Sequence, residues 1–134
     1  MGAWGTGPFD NDDAADFAVS LDHIEPEQRA DAIRDILVKV VDESNYLERD
    51  AGGAAVAAAA LVAAQQSDTI TIDCIHGPKQ SLPELAEDLR PIAVLALSRV
   101  LAEWSELNEL WLDSPDGDAW LHMIAHLADV LGKE

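Results

Sequence analysis

RDAGGAAVAAAALVAAQQ, residues 49–66, is the stretch on which the reading of the fold turns. Alanine is the best helix former, because it loses no side-chain entropy on ordering. The run is apolar on almost every face, so a helix here has no side suited to water. Small side chains let neighbouring backbones approach closely. The segment therefore reads as a central helix surrounded by others, with Asp50 as its cap. Gly52 and Gly53 each cost about 1 kcal/mol inside a helix relative to alanine. They fit the first turn, or a place where another backbone comes near. The longest apolar run, residues 54–64, is too short to span a bilayer, which takes about 20 residues.

Helices that could surround it lie on both sides. Residues 10–24 place Ala14, Phe17, Ala18 and Leu21 at helical period. Asp10 is the expected cap, with Asp13 at the third helical position and Asp12 and Asp16 near the positive end of the dipole. Residues 25–46 form a second helix, with Pro26 in the first turn and a stripe of Ala30, Ile33, Leu37, Val40 and Val41. It is expected to end near Tyr46. Pro83 opens a short helix that breaks at Arg90, because Pro91 disfavours helical geometry before it. A long helix follows from residue 92, with a new cap possible at Ser105. Its expected buried face is Leu95, Val100, Leu101, Trp104 and Trp111. Ser114 and Pro115 start the last helix, which carries Trp120, Leu121, Ile124, Leu127, Ala128 and Leu131 and ends at Gly132. Within residues 67–82, Ile70 and Ile72 alternate with Thr69, Thr71 and Asp73 like a strand that has no partner strand. The whole segment reads as a long loop lying on the helices. The sum is an all-α chain, a single domain over residues 1–134, with about five helices.

Charge narrows the partners. The 134 residues hold 26 acids against 8 Lys and Arg, a net charge of −18, with 49% apolar residues. Such a field repels phosphate backbones and anionic membranes and attracts basic protein surfaces and cations. No nucleic acid and no membrane partner is expected. The acids crowd toward both ends: 6 acids and no base up to residue 25, and 8 acids against 1 base from residue 100. Cys74 is alone, so no intramolecular disulfide can form. With no secretory signal at the start, the expected location is the cytoplasm.

The opening MGAWGTGPFDNDDAADF is built rather than plain. Gly5 and Gly7 permit tight turns, and Trp4 and Phe9 supply apolar anchors, so the segment reads as a plug and a cap. The other reading makes Asp10, Asn11, Asp12, Asp13 and Asp16 an exposed acidic lip for a cation or a basic partner. This opening closely resembles that of the bacterial domain of unknown function 4259 family. EDLRPIAVLALSRVL at 87–101, SELNELW at 105–111 and DAW at 118–120 are similar to that family's C-terminal half. TITIDCIHGPKQ, residues 69–80, carries no recognised part of that resemblance. The resemblance implies a small bacterial protein and brings no assigned activity.

The catalytic candidates are thin. His122 and His126 stand one helical turn apart, a spacing that can hold a metal, but Met123 replaces the glutamate of a metalloprotease helix. Cys74 and His76 lack a nucleophile turn. Asp113, Asp116 and Asp118 around Gly117 are explained by a turn between helices. No catalytic residue, resident metal or cofactor is expected. The leading expectation is a non-catalytic interaction module, in its concrete form an inhibitor or immunity-type protein. The alternative is a metal-binding protein or small metal-dependent enzyme using His122 and His126. The third reading is a homo-oligomer with Trp104, Trp111 and Trp120 in an interface.

Overall fold

The computed structural model describes residues 5–70, 72, 77–79 and 82–132. Six helices make up the described chain, one more than the sequence suggested. They are α1 (Asp12–Asp22), α2 (Pro26–Val41), α3 (Arg49–Ala64), α4 (Leu89–Val100), α5 (Glu106–Leu112) and α6 (Gly117–Gly132). Among the described residues there is no strand, only an isolated parallel bridge between Leu47 and Ser105.

The alanine-rich α3 packs against each of the other five helices. From Ala55 to Ala63 every side chain is buried, which is why small residues occupy the whole circumference. Around it, α4 also packs on α2 and α6, and α5 on α6. The buried stripes of the surrounding helices are Ala14, Ala18 and Leu21 of α1, Ile33, Leu37 and Val40 of α2, and Ile124, Leu127 and Leu131 of α6. Each large side chain so buried contributes about 1.5–3 kcal/mol before ordering costs are counted. Trp111 and Trp120 are buried where α5 meets α6. They stack with ring centroids 5.7 Å apart and planes 8° from parallel.

Several boundaries differ from expectation, each for a local reason. Asn11, not Asp10, caps α1: its side chain accepts from the Ala14 N–H at 2.9 Å. Asp10 instead closes the turn before it, accepting from the Gly7 N–H at 3.0 Å. A Cβ at Gly5 or Gly7 would lie 2.5 or 2.8 Å from that carboxylate, so the glycines make room for it. The second helix ends at Val41 rather than near Tyr46. Beyond it, Arg99 holds the carbonyls of Glu43 and Asn45. Asp50 does not cap α3, since its carboxylate accepts from the adjacent Ala51 N–H. Glu106 of α5 does that work from a distance, accepting from the Arg49 N–H at 2.8 Å.

Residues 83–86 are not helical, and no break falls at Arg90. The fourth helix starts at Leu89, which puts Pro91 in its first turn, where a missing N–H costs nothing. The expected long helix is split in two by the turn at 101–104, and Ser105 caps the second piece. The buried phase of α4 is Leu89, Ala93, Ala96, Leu97 and Val100. Leu95, Leu101 and Trp104 therefore lie outside, contrary to the expected stripe. Ser114 and Pro115 belong to the preceding turn, and α6 begins at Gly117.

Candidate interaction surface

The chain has five arginines, and all of them are used inside the molecule. Arg29 is 7% exposed; its Nε donates to the Leu21 carbonyl at 2.8 Å and its Nη2 to Ile24 at 3.1 Å. It thus covers the carbonyl end of α1, where a positive charge is favoured. Arg90 does the same for α6 through the Leu131 carbonyl at 3.1 Å. Arg99 donates to Glu43, Asn45 and Glu103 carbonyls, tying the α2–α3 connection to the end of α4. Arg34 forks onto Asp88 with contacts of 2.8 and 2.9 Å, and Arg49 meets Asp13 at 2.9 Å. The Arg34 guanidinium holds the Asp88 carboxyl below its usual range. Arg34 itself is raised by its hydrogen bond to Asp88, and Arg49 by its hydrogen bond to Asp13.

Most of the other carboxylates face solvent. The acids near the start divide accordingly. Asp10, Asn11 and Asp13 make the turn, the cap and the Arg49 pair, whereas Asp12 and Asp16 are exposed. Phe9 is buried in the core, and Trp4 lies outside the described residues. So do Cys74 and His76. His122 and His126 are both exposed on α6. Among the described residues, no three His, Cys, Asp or Glu side chains converge as a metal would require.

The turn between α4 and α5 carries a feature the sequence did not reveal. Among the described residues, Trp104 is the one non-glycine with a positive φ, 63°. Its carbonyl is held by the Leu47 N–H at 2.7 Å, and the Glu106 N–H bonds back to the Leu47 carbonyl at 2.9 Å. That pair of bonds fixes the backbone and turns the indole outward, 63% exposed. Leu112, also 63% exposed, stands beside it. Together with Ala102, Glu103, Asn108 and Glu109 they line an open cavity of about 280 Å³. The Tyr46 hydroxyl donates to Glu109 Oε2 at 2.6 Å. That hydrogen bond, with smaller help from desolvation and neighbouring carboxylates, pushes the tyrosine up to about 12.

A larger apolar cavity of about 500 Å³ lies between α4 and the end of α6, lined by Val94, Leu95 and Leu131 with Glu87 and Arg90 at its edge. Its lining includes no nucleophile beside a base. Among the described residues, no helix is long and apolar enough to cross a membrane.

These features define a class: a small all-helical protein with a single shared core and a carboxylate exterior. The particular family follows from comparison of the whole chain. The family model described as "Domain of unknown function (DUF4259)" matches residues 2–123, and the chain belongs to that family. No curated protein and no solved structure matches it.

Proposed function

We propose that this protein is a non-catalytic interaction module whose carboxylate exterior docks on a basic surface of another protein. The observation that carries the reading is the internal use of all five arginines, three of them on backbone carbonyls. A chain of net charge −18 whose arginines are spent on its own framework presents a strongly negative field with few free cations on its surface. Such a field speeds encounter with a cationic partner and repels anionic ones. In its concrete form the module is an inhibitor or immunity-type protein. Its exposed carboxylates would stand where a nuclease-like partner expects phosphates.

Affinity capture from the native host at low salt, with the retained protein identified and its complex reconstituted, tests this. A single basic protein, released as salt rises and lost when exposed acids such as Asp12, Asp16 and Asp118 become Asn, is the expected result. Retention indifferent to salt, or a neutralised variant that binds equally well, would contradict the proposal.

A further inference from the structure

We infer that the Trp104 cavity is the docking site for an arginine side chain of that basic partner, an inference that rests on the interaction reading above. Three observations meet at this place. The first is an indole held outward, 63% exposed, by a backbone conformation that a bulky residue rarely adopts. The second is the concave space of about 280 Å³ between that indole, Ala102 and Leu112. The third is the charge of its rim. The Glu103 carboxylate has no partner among the described residues, and Glu109 uses Oε2 for Tyr46 and leaves Oε1 open. Glu48 and Glu106 stand near Tyr46 and add to the field. Of the nearby cations, Arg99 is occupied by the Glu43, Asn45 and Glu103 carbonyls and Arg49 is paired with Asp13.

A guanidinium suits this setting better than an ammonium. It is planar, weakly hydrated and able to lie on an indole face while its N–H groups reach carboxylates at the edge. A second copy of the chain is a poor occupant. Two surfaces of net charge −18 repel, and all five arginines of the chain are already engaged inside. An exposed aromatic ringed by polar groups is also the usual make-up of a residue that dominates an interface.

The test uses the full chain with ¹⁵N-labelled tryptophan and a triarginine amide as the probe, at low salt. The Trp104 indole resonance should move on titration while those of Trp111 and Trp120, both buried, stay in place. Trp104→Ala should weaken binding by about tenfold. Trp104→Gly, which suits the positive φ, should melt no lower than the native chain and bind as weakly as the alanine variant. Equal binding by the native chain and both variants overturns the site and leaves the basic-partner reading standing. No binding of triarginine by any of the three removes that reading, and the site with it. A concentration-dependent dimer abolished by Trp104→Ala assigns the face to a second copy and overturns the inference.

Discussion

Single residues decide how the first helix begins and ends. Asn11 satisfies a free N–H at the start of α1, and its own carbonyl accepts from Ala15 at 3.0 Å. Asn11→Ala keeps the carbonyl and loses the side-chain bond. Chemical denaturation should show a loss of about 1 kcal/mol, whereas Asp12→Ala, exposed one position on, should cost much less. The sequence pointed to a cap in this segment but placed it at Asp10. Both residues are competent caps, and the tight turn that claims Asp10 depends on glycines whose conformation a sequence does not specify. Tyr46 offers a second test, clean because it is the only tyrosine in the chain. Its neutral form is held by Glu109, so its folded value of about 12 lies above the ordinary 10.0. Stability from this bond is therefore complete below pH ~10 and lost as pH rises through its folded value. Absorbance titration should find ionisation delayed to about pH 12 in the native chain and returned toward 10 in Glu109→Gln. Arg29 is a position that the helical pattern itself marks. It stands in phase with Ile33 and Leu37, on the buried face, and a positive charge at that register is explained by the carbonyl end of α1 beneath it.

Among the helices, α3 is the one that touches all the others. Every side chain from Ala55 to Ala63 is enclosed, so there is no face on which added volume can go outward. Ala58→Leu should lower stability by about 2–3 kcal/mol, measured by denaturant unfolding with an unchanged slope. A result within about 0.5 kcal/mol of the native chain would mean that the helix is not enclosed in solution. Gly117 is a sharper case of the same crowding, since a Cβ there would collide with the Trp111 carbonyl oxygen. Gly52 is the contrast: a Cβ would sit 3.5 Å from Leu107, ordinary contact, so Gly52→Ala should stabilise by about 0.5–1 kcal/mol. Helix existence was legible because period and alanine content are local properties. The phase of α4 was not. Leu95, Leu101 and Trp104 look as apolar as Leu97 and Val100, and only contact with α2, α3 and α6 chooses between the two faces. The split between α4 and α5 was visible at Ser105 as a possible cap, but the left-handed turn before it comes from the Leu47 bridge, a pairing across the chain.

For the whole molecule, the question is where charge goes once the core is closed. The arginines hold helix ends and connections together, and most of the acids remain outside. Self-repulsion follows, and added salt should raise the melting temperature by screening it. The same screening should weaken any partner attracted by the field. The composition made the acidic exterior legible from the start; the arrangement of the arginines was not, because their partners are mostly backbone carbonyls brought close by the fold. The most direct measurement is the affinity of the reconstituted complex with the captured basic protein, followed from about 0.1 to about 1 M salt, over which the screening length falls from about 10 to about 3 Å. Affinity that drops steeply over that range, with the loss mostly in the association rate, is the result predicted here. Affinity that stays flat would contradict the claim that the carboxylate exterior is what the partner recognises.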